Sequence, residues 1–220
     1  MKLSSIHAAR AVWLLDIDEL NPHGKRLFPD LVPALVKAFE FSTFPETTAQ
    51  MDPNAATGIA FRNGKFPTGN DGTIVAWDFE IHAAGIAVET RDSTDTSEYI
   101  LGELARWGIR EFGLNFDPAM IRKKVYISQL VIYPDKDITK GLQKLNEFAD
   151  LLSDTVMIGT LQKRELTGLL FKAEGADRFA FTFERRAGAP FSENKYFSVC
   201  DVPTGVHISL LERFENLLSS

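Results

Sequence analysis

The order in which the apolar periodicities follow one another constrains the fold of this chain most strongly. Residues 75–82 alternate between large apolar side chains and small or polar ones, which is the two-residue period of a half-buried strand. Residues 95–112 then carry apolar side chains at spacings of three and four, which is typical of an amphipathic helix. Residues 122–152 repeat the order of strand and helix, so an internal duplication of 73–112 in 122–152 is one interpretation.

Turn residues join several neighbouring strand segments into hairpins. Asn63-Gly64 is a strong hairpin-turn pair after a short strand over 58–61, and residues 174–177 join two apolar segments further along. The chain lacks the regular alternation of strands and helices that a doubly wound parallel sheet requires. The sequence therefore predicts an α+β fold, a mostly antiparallel sheet built from hairpins with three to four amphipathic helices packed on one side.

The predicted core brings the alternating strand against the helices. We expect contacts among the apolar residues Trp77, Phe79, Ile81, Leu104, Trp107, Leu142 and Leu145. A last helix over 206–218 presents Leu210, Leu211, Phe214, Leu217 and Leu218 on one face.

The length of the chain suits one domain of ordinary to large size, or two small ones. We expect a single α+β domain over residues 1–220. Residues 42–57 hold Pro45, Pro53 and many small side chains, so this segment is predicted to be a long loop.

Charge and cysteine content exclude several classes of function. There are 24 Lys and Arg against 30 Asp and Glu, and a net charge of -6 makes a general DNA-coating protein a poor interpretation. Cys200 is the one cysteine, so an intrachain disulfide and a cysteine-based zinc site are ruled out. No apolar run approaches the roughly 20 residues of a membrane span. We therefore expect a protein of the bacterial-type cytoplasm that binds neither membranes nor nucleic acid.

Sequence motifs for cofactor and metal binding are absent. The chain has no Gly-x-x-x-x-Gly-Lys, Gly-x-Gly-x-x-Gly, His-Glu-x-x-His or Gly-x-Ser-x-Gly sequence. The four histidines stand far apart, with no pair at a spacing of three or four. We expect no cofactor and no metal ion.

One strand carries titratable side chains at alternate positions. Asp78, Glu80 and His82 share a face opposite the apolar face, as a carboxylate pair with a base would. A solvated sheet face explains the same pattern. The catalytic interpretation makes the protein a small metal-dependent hydrolase or nuclease, with acidic residues from separate strands.

A second alternative rests on a row of rings. Phe179-Ala180-Phe181-Thr182-Phe183 resembles part of the aromatic octamer of RNA-recognition motifs, whose exposed rings stack on bases. The glycine that this motif places after the basic residue is missing here. All three rings alternate onto one face, which also fits a strand that faces the core.

The segment from Glu184 to Phe197 is the most chemically dense loop that the sequence predicts. Two arginines can clamp a carboxylate or phosphate, and the neighbouring residues add donors and apolar anchors. The candidate partner-binding residues are Arg185, Arg186, Phe191, Lys195 and Tyr196.

The abundance of phenylalanine points to a function in binding. There are 17 Phe residues, and several of them lie near predicted loops, where aromatic side chains often anchor interfaces. These are Phe41, Phe44, Phe66, Phe116, Phe191 and Phe197. The sequence thus favours a non-catalytic accessory protein that binds a protein partner or itself, most simply as a homodimer.

Overall fold

A computed structural model describes residues 1–21, 27–68, 72–138, 140–143, 145, 147–149, 166–172 and 179–219. The strands are β1 (Lys2–Leu14), β2 (Ile59–Pro67), β3 (Thr73–His82), β4 (Gly85–Thr90), β5 (Lys123–Tyr133), β6 (Gly168–Lys172), β7 (Phe179–Arg185) and β8 (Tyr196–Cys200). The helices are α1 (Phe28–Phe39), α2 (Thr94–Phe112) and α3 (Thr204–Ser219), with 3-10 turns at Asp18–Leu20, Thr48–Met51, Pro118–Met120, Lys140–Leu142 and Phe191–Glu193. These elements confirm the predicted α+β class and the mostly antiparallel sheet.

Contacts divide the chain into two compact units. The larger unit comprises Ala8–Ser128 and Val202–Thr204, and the smaller unit comprises Met1–His7, Gln129–Asp201 and Gly205–Ser220. The strand order is β2-β3-β4-β1-β5 in the larger unit and β1-β5-β8-β7-β6 in the smaller one. The single domain over residues 1–220 and the internal duplication remain predictions.

In the larger unit, α1 and α2 pack on one face of the sheet. Phe79 and Ile81 of β3 lie in the same buried cluster as Leu104 and Trp107 of α2, as predicted. The serine before α2 supplies its N-terminal cap, and Gly113 ends the helix with a left-handed φ of 62°.

The predicted turn at Asn63-Gly64 is wrong, because β2 continues through both residues. Asn63 has a left-handed φ of 54° inside the strand. A Cβ at position 64 would lie 2.2 Å from a ring carbon of Phe41, so the packing of Phe41 requires the glycine. This Asn-Gly pair therefore accommodates a ring rather than a chain reversal.

The same place in the sheet changes which side chains are buried. Phe61 and Gly64 are both buried on β2, and Ala76 and Phe79 are both buried on β3, so strict alternation fails between them. Trp77 is consequently 38% exposed, and its predicted burial is wrong. The prediction assumed an unbroken two-residue period.

In the smaller unit, α3 packs against β7. The rings of Phe183 and Phe214 lie 5.0 Å apart, and Leu211 is fully buried beside them. Leu145 is 46% exposed, which contradicts its predicted burial, while Ala149 is buried.

The predicted long loops differ in outcome. Residues 42–57 contain only a 3-10 turn and an isolated bridge from Thr43 to Arg62, as a loop-rich segment should. The predicted loop from Glu184 to Phe197 is instead a hairpin, because β7 and β8 pair with Arg185 opposite Tyr196. The connecting loop therefore shortens to residues 186–195.

Candidate functional site

The predicted partner-binding residues lie around the β7–β8 hairpin. Arg185 ends β7, and the backbone N–H of Arg186 donates to the carbonyl of Lys195 at 2.9 Å. Tyr196 begins β8 on the other side of the loop. The side chain of Phe191 lies outside the described residues.

Each basic side chain of the hairpin lies over an aromatic ring. The guanidinium carbon of Arg185 is 4.8 Å from the ring centre of Tyr196, and that of Arg186 is 5.3 Å from the ring centre of Phe197. The ammonium of Lys195 is 5.2 Å from the ring centre of Tyr133. Contacts of this kind hold a cation by attraction to the ring face. The rings thus position all three cations.

The two arginines occupy opposite faces of the strand end. Tyr196 beneath Arg185 is only 5% exposed and stacks on Phe183 at 4.4 Å, so this ring belongs to the core. Phe197 beneath Arg186 is half-buried on the other face, with its edge toward the His7 ring at 5.8 Å. Arg186 therefore has the geometry of a surface contact, whereas Arg185 is anchored to the core.

The hairpin is locally basic on an acidic chain. Residues 184–195 contain two arginines and one lysine against two glutamates, while the whole chain carries -6. A hydrogen bond with the Tyr133 hydroxyl raises the pKa of Lys195, which therefore stays protonated at neutral pH. Because screening limits the reach of a charge to about 8–10 Å, this local excess determines what the surface attracts.

Two of the three residues of the catalytic alternative contact each other, and the third is paired with an arginine. Arg62 donates from Nε to Asp78 at 3.0 Å. Glu80 accepts from Arg10 at 2.5 Å and lies 3.0 Å from His82 Nε2. The structure thus joins Glu80 to His82 and pairs Asp78 elsewhere. Among the described residues, no three His, Cys, Asp or Glu side chains are grouped closely enough to hold a metal ion.

The pKa values of two glutamates on this sheet face are shifted in opposite directions. Burial would raise the pKa of Glu80, but hydrogen bonds from Arg10 and His82 outweigh it and hold that pKa below its usual value. Burial raises the pKa of Glu89. The positive charge of Arg10 lowers this pKa, but the negative charges of Asp78 and Glu80 act in the same direction as burial, and the net shift is upward. Glu89 pairs across the strands with Asp78 on one side and with Arg10 on the other.

These shifts predict opposite effects of two matched substitutions. A lowered carboxyl pKa stabilises the fold above the unfolded value, and this contribution is lost as pH falls through the folded value. Glu80→Gln should therefore lower the free energy of unfolding at pH 7. A raised carboxyl pKa destabilises the ionised fold, so Glu89→Gln should raise that free energy at pH 7. Urea unfolding as a function of pH measures both differences in the free energy of unfolding. Both should become smaller as the pH falls, and the difference caused by Glu89→Gln should do so at the higher pH.

The control for this pair is Glu212→Gln, because Glu212 is an exposed residue of α3. It should leave the free energy of unfolding within about 0.5 kcal/mol of the parent at every pH. A shift of the same sign for Glu80→Gln and Glu89→Gln would show that the two environments are misassigned.

Two of the three rings that an RNA-binding sheet would expose, Phe181 and Phe183, pack toward the core. Phe183 is 2% exposed, and Phe181 contacts Phe214 of α3 at 5.7 Å. The side chain of Phe179 lies outside the described residues. The described rings of this strand therefore do not form an open surface on which bases could stack, and they do not support the RNA-binding alternative.

Several phenylalanines near predicted loops are core residues. Phe41 is 3% exposed and Phe66 is fully buried, so their predicted role as interface anchors is wrong. Phe41 packs on the Phe61 ring at 5.1 Å, which explains its burial. Phe44 is 37% exposed, and Phe116 and Phe197 are half-buried.

The exposed apolar side chains of β6 and α3 were missed by the sequence analysis. Leu170 and Phe171 on β6 are 58% and 51% exposed, and Leu217 on α3 is 74% exposed. Leu210 and Leu217 were predicted to share one face of the helix with Leu211, but Leu211 is buried and the other two are exposed. The sequence contains an indication of this exposure, because the apolar stripe predicted for this helix is wider than one buried face requires.

None of the described helices is both long and apolar enough to cross a membrane. The chain matches no protein-family model, and no curated protein sequence matches it.

Proposed function

We propose that the protein is a non-catalytic accessory protein that works by binding protein, in the first place a second copy of itself. The observation that carries this proposal is a set of exposed apolar side chains in the smaller unit, namely Leu170 and Phe171 of β6 and Val206, Leu210 and Leu217 of α3. Large exposed apolar side chains that lie together commonly mark contacts between proteins. The buried thiol of Cys200 agrees with the cytoplasm as its location.

Strand β6 supplies an edge that can pair with an identical strand. Among the described strands it stands at the end of the strand order, and its neighbour β7 pairs with it on one side. Native edges are commonly protected by charges or prolines. β6 has one charge, Lys172 at its last position, and Gly168–Phe171 contains neither a charge nor a proline. A register shift at Phe171/Lys172 ends the regular pairing with β7. Antiparallel pairing of two such edges generates a two-fold dimer.

Helix α3 extends the same apolar surface. Phe171 lies 5.7 Å from Phe181, which lies 5.7 Å from Phe214 of α3. Leu210 and Leu217 stand four residues before and three after Phe214, so they lie on the same side of the helix. Phe171 and α3 therefore lie on the same face of the sheet, whereas Leu170 lies on the opposite face of β6 and contributes at the strand edge.

The mass in solution tests this proposal. Light scattering at tens of micromolar should give about twice the chain mass of 24.6 kDa. Leu170→Lys places a charge on the edge and should reduce the mass to that of one chain. Ile109→Lys is the matched control, because Ile109 is 43% exposed on α2 in the other unit. Its mass should stay that of a dimer.

A parent protein that scatters as one chain at these concentrations would refute self-association. Circular dichroism spectra of the variants separate loss of the dimer from loss of the fold. Equal loss of the dimer in Leu170→Lys and Ile109→Lys would place the contact elsewhere.

The basic hairpin supplies a charge-based contact for the same association. A copy of an acidic chain presents carboxylates to Arg186 and Lys195, and complementary charges favour encounter. Arg186→Ala should weaken the dimer several-fold, and added salt should reduce the difference.

Arg91→Ala is the control for the hairpin, since the Arg91 guanidinium also covers a ring, that of Trp77 at 3.7 Å. It should leave the dimer dissociation constant unchanged. Neither substitution should alter the free energy of unfolding by more than about 1 kcal/mol. If Arg186→Ala unfolds the protein as readily as it weakens association, the hairpin is structural.

A further inference from the structure

The geometry points to a binding site in the larger unit for a neutral small molecule with a short aliphatic end. A cavity of about 60 Å³ lies between α1, α2 and the sheet. Leu31 and Leu35 of α1, Leu104 and Trp107 of α2, and Phe79 and Ile81 of β3 form its walls. This site is independent of the association surface proposed above.

The chemistry of the walls excludes water and charged groups. All of the lining side chains belong to Ile, Leu, Phe, Ala and Trp, and the remaining lining residue is Gly108. A buried water needs two to four polar partners, and among the described residues no hydroxyl, amide or charged side chain lines this cavity. Filling the space with hydrocarbon is favourable, because each methylene that enters it is removed from water.

The volume sets the size of the occupant. One water-sized group needs roughly 10–15 Å³, so the cavity holds about four to six such groups. A four-carbon chain matches this space, whereas a long acyl chain does not. We therefore assign the site to a butyl-sized end.

The entrance is built from half-buried residues, so the rest of the ligand can remain in solvent. Phe28 and Leu114 line the cavity and are both partly exposed. Leu114 sits directly against Gly108, where an added Cβ would lie 2.7 Å from its Cδ1. Glycine at this position of α2 thus lets Leu114 close over the helix and shape the entrance.

The probe for this site is 1-butanol, followed by ¹³C-methyl NMR of the full chain. Saturable shifts are expected at the methyl groups of Ile81, Ile86 and Leu104, which line the cavity. Ala105→Leu fills the space from α2 and should abolish these shifts. Ile109→Leu, at an exposed position of the same helix, should leave them unchanged.

A second variant keeps the test decisive if Ala105→Leu does not fold. Leu35→Ala enlarges the cavity and should shift the preference from 1-butanol to 1-hexanol, with at least a several-fold change in their relative affinities. Shifts that are linear in alcohol and spread over the whole chain would overturn the assignment. Unchanged relative affinities in Leu35→Ala would do so as well.

Discussion

Trp107→Ala is expected to lower the free energy of unfolding by about 3–5 kcal/mol, as truncation of a buried aromatic side chain does. Trp107 is 7% exposed, and its ring lies 5.5 Å from Phe39 of α1 and 5.4 Å from Phe112. The substitution would also enlarge a cavity that Trp107 already lines, and residual cavity volume adds to the loss. Urea unfolding followed by circular dichroism measures the difference.

The matched control is Ile109→Ala, two residues further along α2. Ile109 is 43% exposed, so its truncation should cost less than about 1 kcal/mol. An unchanged urea midpoint for Trp107→Ala would mean that the buried face of α2 is misplaced. Equal losses in both variants would indicate a general weakening of the helix instead of loss of packing.

The prediction of helix α2 was correct and the predicted burial of Trp77 was wrong, and the two outcomes have different physical causes. The position of α2 follows from local signals, namely its apolar spacing and the glycine at its C-terminal end, and both are visible in the sequence. The face of the sheet on which Trp77 lies depends on the left-handed backbone of Asn63 in the neighbouring strand β2. It also depends on the ring of Phe41, which packs against Gly64 of that strand. Contacts between distant residues determine this change of side, and no local period predicts it.

Strand β8 was missed because its buried positions are not all apolar. Tyr196, Ser198 and Cys200 are buried in alternation, and the hydroxyl of Ser198 is satisfied by donating to the Thr182 carbonyl at 2.6 Å. Ser198 Oγ also lies 2.9 Å from Nε2 of the buried His207. Buried polar residues with partners resemble loop residues in a sequence, because their partners lie on other strands and helices.

The candidate site could be predicted only in part for the same reason. The density of arginine and lysine around residues 185–195 is a sequence property, and the structure retains these residues on one hairpin. The ring beneath Arg186 and the ring beneath Lys195 depend on strand pairing. Leu170 and Leu217 are exposed because of which face α3 and β7 bury. Apolar spacing alone overestimates how many apolar side chains are buried.

Phe183→Ala is expected to lower the free energy of unfolding by about 3–5 kcal/mol through the core of the smaller unit. Phe183 is 2% exposed and stacks on Tyr196 at 4.4 Å, with its edge against Phe214 of α3 at 5.0 Å. Aromatic pairs add about 0.5–1.5 kcal/mol beyond the area that they bury, so the loss should lie toward the upper end of this range. Urea unfolding again measures the difference.

Phe171→Ala on the adjacent strand is the control that separates packing from surface function. Phe171 is 51% exposed, so its removal should cost about 1 kcal/mol or less while weakening the dimer. Phe183→Ala should do the reverse, with a large loss of stability and, at temperatures where the fold persists, an unchanged dissociation constant. A nearly unchanged free energy of unfolding for Phe183→Ala would mean that the Phe183 ring is not packed in the core. The base-stacking sheet of an RNA-binding protein would then be the better interpretation of this strand.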